Sequence, residues 1–275
     1  NVKGSNQYIQ TTIGRTWKID EKLSTSFGLK AVYGMRNLEA STSFDKKYFP
    51  LLNGNASIDS ERTGYGFGFQ LGLNYKATDK LNLGLRYDSR VRMDFKTEAD
   101  IKDTSSALGM KDIISNGLLG IYPAYKDGLK TRRDLPAILA LGASYKVTNR
   151  WTTFIGGNYY FNKDAKMDRI GNDPGRYDYD NGWEISLGSE YWINEKFAWL
   201  TGFNYADTGA KKTTFAATEY AINSFSVGTG IKYRQNETTE WTFAYNHYFY
   251  DETSFAGTEY EKKIASIGFN FVKKF

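Results

Sequence analysis

The sequence predicts an all-β fold, a single antiparallel transmembrane β-barrel domain over residues 1–275. Three observations predict it. Apolar residues alternate with polar or small ones at period two along nearly the whole chain. The connections between these segments are short and long in turn. The chain ends on Ile264–Phe275, where Ala265, Ile267, Phe269 and Phe271 share one face and Ser266, Gly268 and Asn270 the other. A greasy face, a small polar face and a terminal Phe are the marks of a closing barrel strand. In lipid every backbone N–H and C=O must be paired internally, which strands achieve only in a closed barrel.

Composition narrows the class. No run of 18 or more apolar residues exists, so no helix is expected to cross a membrane. The mean hydropathy of −0.56 does not count against a barrel, because each of its strands is only half apolar. The chain has no Cys, which excludes thiolate chemistry and disulfides. The net charge of +5 is spread over turns, loops and one strand face rather than gathered into a patch, so no nucleic-acid partner is expected. No leader is visible at Asn1, and the numbering is expected to begin inside a longer precursor.

About eleven strands are read, near 6–19, 23–38, 61–77, 80–98, 133–147, 150–163, 179–194, 197–208, 218–234, 239–250 and 260–275. Tyr65, Phe67, Phe69, Leu71, Leu73 and Tyr75 share a face opposite Gly64, Gly66, Gly68, Gln70, Gly72 and Asn74. Along 80–98, Leu81, Leu83, Leu85, Tyr87, Val91, Met93 and Phe95 are assigned to lipid. Arg86, Asp88, Arg90, Arg92, Asp94 and Lys96 are assigned to the lumen. Trp183, Ile185, Leu187, Tyr191 and Ile193 oppose Glu184, Ser186, Gly188 and Glu190. Trp241, Phe243, Tyr245 and Phe249 oppose Thr242, Ala244 and Asn246. A helix would space its apolar residues by three and four instead.

The short connections are 20–22, 78–79, 148–149, 194–196 and 235–238; the long ones are 39–60, 99–132, 164–178, 209–217 and 251–259. Bacterial barrels keep short turns in the periplasm and long loops outside, so the last strand runs down to the periplasm. The first strand also runs down. Even strand number then calls for one or three further N-terminal strands, and a plug, beyond this sequence, unless a strand is miscounted. Trp17, Tyr75, Tyr145, Trp151, Tyr191, Phe197, Tyr233 and Trp241 all lie near short turns, as a girdle at the periplasmic interface would.

Two stretches carry a resemblance. The first is Leu81–Lys96, ending Asp94-Phe95-Lys96 with Thr97 where a Gly is expected. The second is Asp134-Leu135-Pro136-Ala137 followed by Gly142-Ala143-Ser144-Tyr145-Lys146-Val147-Thr148-Asn149-Arg150-Trp151. Together they resemble the FadL/OmpP1/TodX family of outer-membrane transporters for long-chain fatty acids and other hydrophobic compounds. The resemblance implies fourteen strands and an N-terminal hatch, of which this chain is similar to the last eleven strands. It also implies that long extracellular loops form a groove that first captures the ligand.

Candidate binding residues follow. Arg86, Arg90, Arg92 and Lys96, with Lys30 and Arg36, are read as lumen cations. They either guide a carboxylate by charge-assisted hydrogen bonds or form ion pairs that stiffen the wall. In the loop 99–132, Met110, Ile113, Ile114, Leu118, Leu119, Ile121 and Tyr122 include the spacing of a short amphipathic helix. They form either the capture groove, with Lys111, Lys126 and Lys130 near its rim, or the loop's own small core.

Asp164, Asp168, Asp173, Asp178 and Asp180 lack the ligand order of a calcium loop, so no metal is expected. The single His247 falls on the lipid face, away from any Ser or Asp partner, so no enzyme and no cofactor is expected. The triplet Gly64, Gly66, Gly68 is a strand feature that leaves lumen space or admits a plug. The expected function is passive outer-membrane import of hydrophobic compounds, long-chain fatty acids above all. Outer-membrane lipid and lipopolysaccharide surround a monomer in this reading. A diffusion porin or an adhesin barrel are the alternatives.

Overall fold

The computed structural model describes residues 1–44, 47, 54–107, 110–121, 123–170, 177–215 and 220–274, with backbone alone at Ala107, Met110 and Ile121. Phe275, Tyr122 and Asp173 lie outside the described residues, as do the side chains of Met110 and Ile121.

The strands are β1 (Val2–Lys18), β2 (Leu23–Phe44), β3 (Gly54–Lys76), β4 (Leu81–Asp88), β5 (Asp94–Asp103), β6 (Ser106–Ala107), β7 (Met110–Lys111), β8 (Lys130–Arg132), β9 (Ile138–Lys146), β10 (Trp151–Tyr160), β11 (Gly182–Trp192), β12 (Phe197–Asp207), β13 (Ser224–Asn236), β14 (Thr239–Tyr250), β15 (Thr253–Phe255), β16 (Thr258–Tyr260) and β17 (Ile264–Lys273). The single α-helix among the described residues, α1, covers Ile113–Ile121. One antiparallel sheet runs β1-β2-β3-β4-β9-β10-β11-β12-β13-β14-β17, with β5 beside β3 and β8 beside β5. β6–β7 and β15–β16 are small hairpins in the loops. β1 and β17 are the sheet edges and run in the same direction.

The short turns are written locally. Asp20 Oδ1 accepts the amides of Lys22 and Leu23 at 2.7 and 2.8 Å. Thr78 Oγ1 does the same for Lys80 and Leu81, Thr148 Oγ1 for Arg150 and Trp151, and Asn194 Oδ1 for Lys196 and Phe197. In each case a side-chain oxygen replaces a ladder partner and turns the chain.

Period two then sorts the side chains. Ile13, Phe67, Leu141, Ile155, Leu187, Trp199, Phe243 and Ile267 stand exposed on the outer face. A continuous apolar surface of this size requires an apolar solvent. The rings of Tyr33 and Tyr65, 5.0 Å apart, mark its upper limit. Above them the outer face of the β2–β3 pair is polar apart from Met35, with Thr63, Glu61, Asp59, Asn37 and Glu39. β2 and β3 continue to Phe44 and from Gly54, well into the predicted 39–60 loop.

The predicted strand 80–98 is not one strand. β4 pairs with β3 as far as Asp88↔Gln70, and pairing resumes at Asp94↔Tyr65. Four residues of β3 (66–69) therefore face five of the neighbour (89–93). The extra residue is a bulge, and a slip of one exchanges the two faces. Above Ser89 the odd residues turn inward: Val91, Met93 and Phe95 are buried with Val32 in one cluster. Their predicted lipid-facing position is thus corrected. Arg92, Asp94, Lys96 and Glu98 turn outward and pair along their own strand, Arg92 with Asp94 at 2.8 Å and Lys96 with Glu98 at 2.7 Å.

The glycine triplet makes room for this. A Cβ on Gly66 would overlap the Arg92 carbonyl oxygen and stand 2.5 Å from Met93 Sδ and Val91 Cγ1. A Cβ on Gly68 would stand 2.7 Å from Ser89 Oγ. What occupies the space left by the glycines is the neighbouring strand itself. The bulge keeps its donors satisfied. Ser89 N donates to Phe69 O at 2.9 Å, Ser89 Oγ accepts the Phe69 amide at 2.8 Å, and Val91 exchanges two backbone bonds with Leu135.

Candidate ligand-binding site

A cavity of about 370 Å³ opens on the inner face above the bulge. Its apolar walls include Tyr8, Leu135, Pro136, Met167, Tyr179 and Tyr220; Arg36 and Arg133 line it as well. A smaller cavity of about 40 Å³ lies behind, sharing Arg36, Arg133 and Met167 and adding Arg62, Tyr125 and Thr131.

β2 and β3 place Arg36 opposite Arg62 in register on the inner face. Both are buried, at 3% and 4% exposure. Arg62 donates to Thr131 Oγ1 and lies over the rings of Phe95 and Tyr125 at 5.5 and 5.3 Å. Its Nε has no hydrogen-bond partner among the described residues. Guanidinium is weakly hydrated and stacks on aromatic faces, so it tolerates this setting better than an ammonium would. An apolar chamber bounded by guanidinium groups is chemically fitted to an amphipathic anion, whose tail the walls cover and whose head the arginines bond.

The cavity wall depends on one carboxylate. Asp134 is fully buried and accepts both Arg132 Nε and Nη2 at 2.8 Å. It also accepts the Lys166 amide at 3.3 Å and that of Met93 at 3.4 Å, and lies 3.5 Å from Arg90 Nε. It thus ties the bulge, β8 and the loop after β10 together. Sequence reading missed Asp134, Arg62 and Arg133. Asp134 stands inside the quoted Asp-Leu-Pro-Ala stretch, which was the signal available.

The predicted site residues separate into groups. Lys30 and Arg86 point inward and meet Asp88, at 2.8 and 2.9 Å, one level below the bulge. Arg36 reaches the cavity. Arg90 donates to the Asp164 carbonyl at 2.6 Å and serves the loop. Arg92 and Lys96 are on the outer face, 64% and 59% exposed, and the predicted cationic wall is corrected accordingly. The alternation rule placed them inward because it could not register the extra residue at the bulge.

Helix α1 forms where a short amphipathic helix is expected. It packs on β3, β5 and the turn Pro123–Tyr125. Ile114 is buried beneath it, while Ile113, Leu118 and Leu119 remain half-exposed. Asp103 Oδ2 accepts the Ser115 amide at 2.7 Å, and Ser105 Oγ accepts that of Ile114 at 2.9 Å. Desolvation opposes ionisation of Asp103, but the bonds from Ser105 and Ser115 outweigh it and hold its carboxyl down to about 2. The loop then dips to the inner face: Thr97 Oγ1 donates to Ala124 O at 3.1 Å and Ser60 Oγ to Tyr125 O at 3.2 Å. This seats Tyr125 against Arg62.

A second inward cluster, also missed, lies near the short 193–196 turn. Arg234 covers the Trp192 ring at 3.9 Å and pairs with Glu240 at 2.9 Å, and Lys232 pairs with Glu190. His247 stays on the outer face, 3.1 Å from Tyr245 Oη. No cluster of His, Cys, Asp or Glu suited to a metal occurs among the described residues.

Comparisons with known proteins agree with this fold. The chain is 24% identical over 264 residues to outer membrane protein P1 of Haemophilus influenzae, covering 86% of this chain and 55% of that protein. It thus spans about half the length of that relative. A Pseudomonas aeruginosa FadL homologue shares the fold with a TM-score of 0.69 at 16% identity, over 91% of this chain and 61% of its own. The Pseudomonas putida toluene transporter TodX does so with a TM-score of 0.60 at 16% identity, over 91% and 66%. The family model for outer membrane protein transport proteins (OMPP1/FadL/TodX) matches residues 3–271, and the chain belongs to that family of outer-membrane β-barrels.

Proposed function

We propose that the protein passes hydrophobic compounds across the outer membrane without energy input, and that long-chain fatty acids are its cargo. The observation that carries this reading is the cavity of about 370 Å³ with apolar walls and Arg36 and Arg133 at its boundary, next to the buried Arg62. The carboxylate is held by these guanidinium groups and the acyl chain lies along Leu135, Pro136, Met167 and Tyr179. Each buried methylene contributes about 0.8 kcal/mol, which suffices for binding without a nucleotide. Capture precedes this step at α1, where Ile113, Leu118 and Leu119 offer half-exposed apolar surface on the loop packed against β3 and β5. Met110, Ile121 and Tyr122 belong to the same capture loop. Lys30 and Arg86 receive the carboxylate lower in the lumen. The names of the structural neighbours, a FadL homologue and a toluene transporter, support a hydrophobic cargo.

The test is equilibrium binding of a labelled long-chain fatty acid to the detergent-purified protein. Saturable binding that weakens in Arg36→Ala and in Leu118→Asp is expected. Absence of binding, in protein shown to be folded by its heat-shifted gel mobility, would exclude fatty acids as the cargo.

A further inference from the structure

Arg62 is the buried charge that the fold leaves unbalanced. It stands on the inner face of β3, above the Tyr33–Tyr65 limit of the apolar band, at 4% exposure. Phe95 and Tyr125 lie against its guanidinium. Its side-chain hydrogen bond goes from Nη2 to the neutral Thr131 Oγ1, and Nε has no partner among the described residues. No carboxylate among the described residues pairs with it. A cation taken out of water without a counter-charge is strongly unfavourable, so a fold that keeps one has a place for an anion.

The surroundings add to this charge. Arg36 faces Arg62 across the β2–β3 ladder, and Arg133 lines the same cavity of about 40 Å³. Arg132, the fourth guanidinium on its wall, is bound to Asp134 by two bonds of 2.8 Å. Asp168 is the carboxylate on that wall, and its Oδ2 accepts the Arg132 amide at 2.8 Å. Burial first, and then repulsion from Arg36, hold the Arg62 pKa below its ordinary value.

The place is built rather than loosely packed. Thr131 pairs with Phe95 in the β5–β8 ladder and is buried. Tyr125 is fixed through its own carbonyl, which accepts Ser60 Oγ at 3.2 Å, and through the Ala124 carbonyl, which accepts Thr97 Oγ1 at 3.1 Å. Ser60 and Thr97 are themselves buried. A water needs about 10–15 Å³ of such space, so the cavity has room for about three oxygen-sized atoms. That is the size of a carboxylate or a halide, and a tetrahedral oxyanion is too large for it.

We propose that this small cavity is an anion site in which Arg62 receives a monoanion of carboxylate or halide size. The open Nε–H and the guanidinium plane suit a carboxylate. The anion is either a free ion or the head of a bound amphipathic cargo, since Arg36, Arg133 and Met167 line both this cavity and the larger one. The site does not rest on fatty acids being the cargo.

The experiment follows thermal unfolding of the detergent-purified protein by gel mobility, with formate or bromide replacing sulfate at constant ionic strength. A saturable rise of about 2–4 °C is expected with each. It is expected to vanish in Arg62→Met, which keeps an apolar stem and removes the charge. Ala124→Val keeps Arg62 and adds two methyl groups to the cavity wall, and it is expected to abolish the rise as well. If Arg62→Met does not fold, Ala124→Val decides. A long-chain fatty acid and its methyl ester separate the two sources. Loss of the formate response with the acid but not the ester assigns the site to the cargo head, and a response that persists with both assigns it to a free ion. No saturable response in the wild type, or an undiminished one in the folded variants, overturns the proposal. Failure of the fatty acid to bind reports only on the cargo.

Discussion

From β9 to β17 the sheet keeps its alternation apart from one register shift at Arg234/Asn236 beside a short turn, and its inner face at mid-height carries Gly, Ser and Ala with Phe154 and Leu200 among them. From β2 to β8 the alternation breaks, and the inner face is filled by Val91, Met93, Phe95, Arg36 and Arg62. The first region is a wall that leaves space. The second is a wall that fills space and holds the buried charges. The difference shows where a barrel of small inner residues acquires chemistry. It does so where one extra residue turns a strand's hydrophobic face into the lumen, with a glycine neighbour to receive it.

The sharpest way to break this comparison is to remove the carboxylate that holds the filled region together. Asp134→Ala leaves Arg132 unpaired and frees the amides of Met93 and Lys166. A loss of about 3–5 kcal/mol is expected in urea unfolding. In the open region, Asn246→Ala removes one weak bond to Ser226 at 3.4 Å and should cost under about 1 kcal/mol. Equal losses in the two variants would show that the filled region is no more interdependent than the open wall.

The glycines give a second contrast. Gly66→Ala places a methyl group against Arg92 O, Met93 and Val91 and should cost about 1–3 kcal/mol through overpacking. Gly142→Ala meets only Ile155 O at 3.7 Å and should be near neutral. Thermal unfolding monitored by gel mobility compares the two directly.

Asp103 links the filled region to its loop. Its folded value of about 2 lies below the unfolded value of about 3.9. The ionised carboxylate therefore favours docked α1 at and above about pH 4, and that contribution disappears as pH falls through about 2. Amide exchange at Ile114 and Ser115 should lose protection over this window. Asp103→Asn should remove the pH dependence and cost about 0.5–2 kcal/mol locally, as loss of a helix cap does.

The smallest effects are expected on the outer surface. Arg92→Ala and Lys96→Ala each break an exposed pair and should change stability by about 0–1 kcal/mol. Fatty-acid affinity should not change in either, whereas Arg36→Ala should weaken it. A clear loss of affinity in Lys96→Ala would return that residue to the lumen and contradict the inverted faces.

Much of the wall could be read in advance because its determinants are local. Asp20, Thr78, Thr148 and Asn194 each close a short turn with their own side chain, and the strands between them sort residues by twos. Trp183, Ile185 and Leu187 sit on the outer face as alternation requires, and α1 forms close to where its spacing placed it. The residues of the candidate site were harder to read. Arg36 was placed correctly, but its neighbours in space, Arg62 and Arg133, are distant in sequence and carry no local pattern. Arg92 and Lys96 were misplaced although their local pattern is regular.

By itself, then, the sequence determined the β-barrel class, the short turns, the lipid-facing band and the outward His247, since each depends on residues a few positions apart. Only the tertiary structure decided which face of 89–98 enters the lumen. That depends on four residues of β3 meeting five of its neighbour across the ladder, with Gly64, Gly66 and Gly68 leaving the room. It also decided the cavity, because Arg36 on β2, Arg62 on β3 and the pair Arg133–Asp134 just after β8 are distant in sequence and meet only once the strands have paired. Alternation fixes which residues share a face, and pairing between strands fixes which face is inside.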